Sequence, residues 1–278
     1  FILSGGTLQV GNGETITDSG AWIQRGGTFT AGSGTVQLQS RANSAELRAT
    51  SAFRNLTIDS GLVGYWRFDE GTGSTVARDS SRNGNNGTLT GYSGVQTQTG
   101  WVNTTHASRF FNPSVLEFDG TNDYVSVAHS ESISPSSALT LSAWVKTNNT
   151  GAGQMIFTKH RQGTSPISGY LMGIDAGGTV TFQLRAGNVC CQAATTTATL
   201  STNTWYHLAA NYDNTTMRVF IDGIERASLA NSGDISSTQT LEIGRDVNSP
   251  TSGFMNGLID DARIYNRALA SSEIGALY

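Results

Sequence analysis

From residue 61 onward the sequence is a run of short apolar stretches, each holding aromatic or β-branched residues and most closed by Gly, Asp or Asn. Runs of that length, with alternating side chains and turn residues between them, read as β-strands rather than helices. The predicted strands are LVGYWRF (62–68), LEFDGTNDYVSV (116–127), LTLSAWVK (139–146), QMIFTKH (154–160), YLMGID (170–175), TVTFQLR (179–185), WYHLAANYD (205–213), TMRVFIDG (216–223), LEIG (241–244) and LIDDARIY (258–265). Their connections are legible as well. Asp175-Ala-Gly-Gly and Asp213-Asn-Thr-Thr sit between paired runs as hairpin loops, and Asp222-Gly223 is the strongest two-residue turn signal in the chain. Only Leu269 to Leu277 has helical character, with Ala268, Leu269, Ile274 and Leu277 available to pack. The pattern predicts an all-β fold, a two-sheet antiparallel sandwich of the jelly-roll kind.

Residues 1–60 follow another rule. GGTLQVGNG at 5–13 returns as GGTFTAGSG at 26–34, a spacing of 21 residues, with Leu8 replaced by Phe29. Short strands joined by Gly turns at a fixed period are the mark of β-solenoid rungs, although a Gly-rich β-meander would also fit. Two rungs cannot cover their own edges and need a neighbour. The expected organisation is therefore a Gly-rich β-repeat segment over 1–60, able to self-associate, followed by a jelly-roll domain over 61–278.

Composition narrows the function. Net charge is −4, only 14% of residues are charged, and no cluster of Lys or Arg occurs, so neither nucleic acid nor an anionic membrane surface is an expected partner. No apolar run approaches the roughly 18 to 20 residues that span a bilayer, and Phe1-Ile2-Leu3 is too short for a signal peptide, so the chain is expected to begin inside something longer or already processed. Cys190 and Cys191 are the only cysteines, which excludes a zinc site of ordinary spacing. Adjacent side chains on a strand point to opposite faces, so a vicinal disulfide, free thiols and a contact between chains all stand as readings. Few cysteines with much Thr, Ser, Asn and Gly suggest a prokaryotic surface protein, with an extracellular location.

Two adjacent aspartates interrupt the last predicted strand. Strict alternation puts Leu258, Asp260, Ala262 and Ile264 on one face and Ile259, Asp261, Arg263 and Tyr265 on the other. Asp261 then faces Arg263 as a solvated partner, while Asp260 points inward among apolar neighbours. A buried carboxylate is costly, so Asp260 needs backbone or hydroxyl donors, or a cation.

GLVGYWRFDEGTGSTVARDSSRNGNNGTLTG, LEFDGTNDYVSV, LTLSAWVK, NTWYHLAANYDNTTMRVFIDG and FMNGLIDDARIYNRALASSEI follow one another as they do in the laminin-G-like branch of the concanavalin A-like lectin and glucanase jelly rolls. The chain resembles that family from about Gly61 to Tyr278. The resemblance implies one structural calcium, whose ligands would fall on Asp69, on Asn86 with neighbouring carbonyls, and on Asp260. Calcium takes six to eight oxygens, which two carboxylates, an amide and Gly-permissive turns could supply.

Catalysis finds little support. The glucanases of this superfold use E-x-D-x-x-E on one strand, and Glu117-Phe-Asp119-Gly-Thr-Asn122 ends in Asn, with Asp119-Gly120 reading as a turn. His106, His129, His160 and His207 have no metal-ligand spacing, and His207 reads as a hydrogen-bonded structural residue. Sugar could instead stack on loop aromatics, of which Tyr92, Trp101, Tyr170 and Phe254 are the candidates. The expected function is a non-catalytic adhesive or glycan-binding module of a cell-surface protein, with a glycan or surface protein as partner. The alternative is a subunit of a surface filament assembled through the N-terminal strands, and a glycoside hydrolase is a remote third.

Overall fold

The computed structural model describes residues 61–71, 73–92, 101–102, 114–160, 168–186, 189–249 and 251–278, together with strand backbones at 2–3, 7–9, 15–18, 22–24, 28–30, 35–38, 47–48 and 56–58. It divides into two units, Phe1–Gly61 and Leu62–Ala276. In the first, all pairings among the described strands are parallel. β1 (Ile2–Leu3), β4 (Trp22–Gln24) and β7 (Leu47–Arg48) form one ladder, β2 (Thr7–Gln9) and β5 (Thr28–Thr30) a second, and β3 (Thr15–Asp18), β6 (Thr35–Leu38) and β8 (Leu56–Ile58) a third. Thr7 lies opposite Thr28, so the strands meet at the sequence echo. Three short strands per circuit, each stacked on its counterpart in the next, is solenoid geometry.

The second unit is the expected antiparallel sandwich. One sheet runs β10 (Val76–Ala77), β11 (Gly87–Thr90), β14 (Tyr124–Val127), β23 (Leu241–Ile243), β16 (Gln154–His160), β17 (Gly169–Ile174), β18 (Thr179–Ala186), β19 (Val189–Thr199). The other runs β12 (Trp101–Val102), β13 (Val115–Asp119), β24 (Asn256–Tyr265), β15 (Leu139–Thr147), β20 (Tyr206–Tyr212), β21 (Thr216–Ile221), β22 (Ile224–Ala230), with β9 (Leu62–Trp66) also paired to β24. Turn chemistry closes the hairpins. Asp222 and Gly223 both take positive φ, 53° and 74°, as a two-residue turn demands for strands that keep their right-handed twist. The terminal helix, Ser271–Leu277, forms where the sequence places it, with Glu273 bound back to the Ala270 amide.

Alternation supplies the core. Leu116 and Phe118, Val125 and Val127, Phe182 and Leu184, and Leu208 and Ala210 are all buried from facing sheets. A lysine shares that side. Lys159 is fully buried, and its Nζ donates to His129 Nδ1 at 3.2 Å and to the Gln239 carbonyl. Burial lowers its ammonium to about 8, against a smaller upward pull from Glu131. The folded chain therefore binds fewer protons than the unfolded chain between that value and the ordinary lysine range, and stability should rise with pH across that window. Urea unfolding at about pH 7 and about pH 10 should show a gain of about 1–2 kcal/mol that is missing in Lys159→Met.

β24 departs from strict alternation. Ser142 of β15 pairs with Arg263 and Trp144 with Asp260, so Asp261 and Ala262 together oppose Ala143. This is a β-bulge, and Asp261 adopts the left-handed φ of 50°. Its effect is to keep Ile259, Ala262 and Ile264 in the core, while Asp260, paired with Trp144, lies on the outer side of the sheet rather than facing inward. Asp261 is not solvated either. Its Oδ1 accepts from Tyr65 Oη at 2.6 Å and lies 3.2 Å from Arg263 Nη2, with both side chains largely buried.

Candidate functional site

Two strand ends and one loop build a polar sheltered patch in the sandwich. In QMIFTKH, Phe157 packs into the core, which turns Thr158 and His160 toward the opposite face; in TVTFQLR, Phe182 and Leu184 do the same for Gln183 and Arg185. The register then sets His160 opposite Gly169 and Gly169 opposite Arg185, a row across three strands. Gly169 has φ 117°, and a Cβ there would stand 2.1 Å from the Lys159 carbonyl oxygen, so no side chain interrupts the row. The segment after β23 crosses this face. Thr158 Oγ1 donates to the Arg245 carbonyl at 2.7 Å and accepts from the Val247 amide at 3.1 Å, pinning the crossing chain to the sheet.

Asp246 is thereby brought to His160, 3.1 Å from Nε2, and into the field of Arg185. Burial pushes the Asp246 carboxyl up, but hydrogen bonds from His160 and the Asn248 amide, with the charges of His160 and Arg185, hold it below its ordinary value. Burial lowers Arg185, opposed by Asp246. Asn248 Nδ2 donates to the His160 carbonyl at 3.0 Å. Beside this group Arg245 is fixed by Glu242, with Nη2 to Oε1 at 3.0 Å, and lies 3.7 Å over the Tyr124 ring. Phe254, in the same crossing segment, is half-buried. His160 and Arg185 are buried while Asp246 and Phe254 are partly exposed, so the arrangement is a sheltered group of hydrogen-bonding side chains of both signs held under the crossing segment.

The other residues singled out from the sequence have different roles. Tyr170 is fully buried and its hydroxyl donates to the Ile133 carbonyl at 2.9 Å, so it is a core anchor and cannot stack on a sugar. Tyr92 is buried edge-on against Phe118, with centroids 6.2 Å apart. Its neighbour Asp123 has its carboxyl pushed up to about 6 by burial and by the charges of Asp119 and Glu117, against the hydrogen bond from the Asp119 amide. Trp101 starts β12, opposite Leu116; its side chain lies outside the described residues. His207 does bond, Nε2 to Ser142 Oγ at 2.8 Å, deep beneath the Trp144 and Tyr278 rings.

The three residues expected to hold calcium each have a partner within the chain. Asp69 lies 3.1 Å from the Arg67 guanidinium, Asn86 Oδ1 accepts the Asp79 amide at 2.9 Å, and fully buried Asp260 accepts the Asp261 amide at 2.9 Å from the outer side of its sheet. Among the described residues no group of three or more His, Cys, Asp or Glu is placed to hold a metal ion. The DSSRNGNN turn is organised by Asp79 instead, whose two oxygens accept from the Tyr65, Ser81 and Asn85 amides and from Ser81 Oγ at 2.8–3.0 Å. Asp119 Oδ1 likewise accepts the Thr121 amide at 2.7 Å, so the nearest approach to a glucanase signature is a turn.

Two antiparallel sheets in this order define a jelly-roll sandwich. The family model for the concanavalin A-like lectin/glucanases superfamily matches residues 119–275, more than half of the chain, and the chain belongs to that family. No curated protein sequence matches it. Domain 4 of AbnA, a GH43 extracellular arabinanase from Geobacillus stearothermophilus, solved in complex with arabinotriose, superposes with a TM-score of 0.58 at 22% identity, over 78% of this chain and 97% of that one. The binding domain of Paraclostridial Mosquitocidal Protein 1 gives 0.59 at 18% identity, and that of botulinum neurotoxin serotype C1 gives 0.54 at 16%; in both cases 78% of this chain aligns with 51% of the other. The chain thus spans about half of these toxin domains, and identities this low establish the fold alone.

Proposed function

We propose that the chain is a non-catalytic, extracellular binding module that takes a glycan on the partly exposed surface of the crossing segment at Asp246 and Phe254, with buried His160 and Arg185 holding Asp246 from below. The observation that carries this reading is the buried row His160, Gly169, Arg185, which holds partly exposed Asp246 from a segment more than sixty residues away in sequence. Membership of a lectin-containing superfamily supports it, as does the arabinotriose bound to the AbnA domain of the same fold. A glycan array followed by calorimetry tests it. One class of neutral oligosaccharide should be retained, with affinity reduced about 10- to 100-fold in Arg185→Gln and in Phe254→Ala, and unchanged in Tyr170→Phe. Absence of any retained glycan, or an Arg185→Gln variant that binds normally, would overturn the reading.

A second reading rests on the parallel ladders. Among the described strands β1, β2 and β3 each pair on one side only, which leaves backbone donors and acceptors for a further strand on all three. The chain would then be a subunit of a surface filament. Electron microscopy should show filaments that are lost when residues 1–60 are deleted.

A further inference from the structure

The row of the binding face does not stop at Arg185. In the hairpin of β18 and β19, Ala186 pairs with Val189 but Leu184 pairs with Gln192, so Cys190 and Cys191 together oppose the single residue Arg185. That is a second β-bulge. Cys191 is exposed, holds a left-handed φ of 72° and is disulfide-bonded. The chain has only one other cysteine, its neighbour Cys190. Adjacent side chains on a regular strand diverge to opposite faces, and an extra residue in the strand removes that constraint.

We propose that Cys190 and Cys191 form a vicinal disulfide that is a reducible clasp on this bulge, setting the strand pairing opposite Arg185. Reduction by a dithiol breaks the one S–S bond and forms two S–H groups, while the dithiol closes to its own disulfide, so two electrons and two protons move from reductant to protein. With the ring open, nothing covalent keeps Cys191 in a backbone region that is unfavourable for a side chain with a Cβ. The extra residue can then migrate along the edge strand, and the amides around Arg185 lose their fixed partners. The exposed position of Cys191 on the outermost strand gives a thiol reagent access. None of this depends on what the face binds.

Intact-mass measurement after iodoacetamide treatment, with and without dithiothreitol, comes first. No adduct is expected on the native protein and two after reduction; two adducts without reductant would end the proposal. Hydrogen exchange of the full chain then reads the clasp. Amides within 183–192 should exchange at least about tenfold faster on reduction, those of β15 should not change, and Cys190→Ser/Cys191→Ser should match the reduced protein with or without dithiothreitol. Unchanged exchange in 183–192, or acceleration that includes β15, would overturn a local clasp. Because the readout is exchange and not ligand retention, it separates this inference from the glycan reading.

Discussion

Asp261→Ala is expected to lower the unfolding free energy by about 3–5 kcal/mol, which is large for one side chain near a sheet surface. The carboxylate accepts from Tyr65 Oη and faces Arg263, while Arg263 Nη2 also donates to Tyr65 Oη at 2.8 Å and its guanidinium lies 4.2 Å over the Tyr65 ring. Only 10% of the Arg263 side chain and 15% of the Asp261 side chain reach solvent, so removing the anion leaves a buried cation with no counter-charge. Alanine is also a poorer occupant than aspartate of the left-handed backbone at 261. Asp261→Asn keeps an acceptor for Tyr65 and should cost less than the alanine variant. Urea unfolding of both variants decides the matter, and a loss below about 1 kcal/mol for alanine would mean that water reaches Arg263.

Trp66→Ala should cost about 3–5 kcal/mol by the same measurement. Trp66 is wholly buried where β9 meets β24, and its Nε1 donates to the Asn85 carbonyl at 2.9 Å. The ring therefore joins the first strand of the sandwich to the turn that Asp79 organises. Truncation opens a cavity and leaves the Asn85 carbonyl unsatisfied, whereas Trp66→Phe does mainly the second. The ring is also matched by its neighbour: a Cβ on Gly64 would lie 2.6 Å from Trp66 Cη2. Gly64→Ala should accordingly be as harmful as a much larger substitution elsewhere, since neither the indole nor the strand has room to yield.

How much of this was legible in the sequence follows from what each feature depends on. Strands bounded by aromatic anchors and by Asp175, Asp213 or Asp222-Gly223 turns were readable because the signal is local. LEFDGTNDYVSV forms two strands, β13 and β14, parted at the Asp119-Gly120 turn, where Asp119 Oδ1 accepts the Thr121 amide and Asp123 Oδ2 accepts the Asp119 amide. The edge strands β19 and β22 went unread: QAATTTAT and IERASLA have weak or mostly exposed alternation. Of the candidate site the sequence offers only Phe254, for a different reason. His160 and Arg185 are only visible as a pair once the β16, β17 and β18 register is known, and Asp246 arrives from beyond β23. Alternation alone could have placed Thr158, His160, Gln183 and Arg185 off the core. The aspartate faces were misread because bulges have no sequence signature as strong as a turn's.

Asp261 can also be viewed as an insertion that the sheet has absorbed. Without that residue, Ile259 and Asp260 would run straight into Ala262 and Arg263 with inward and outward positions still in phase, so every core residue of β24 would keep its place. The charged pair with Arg263 is thus separable from the packing of the strand. A lineage could gain or lose it by a single-codon indel, and homologous chains one residue shorter here should carry a neutral side chain where this one has Arg263.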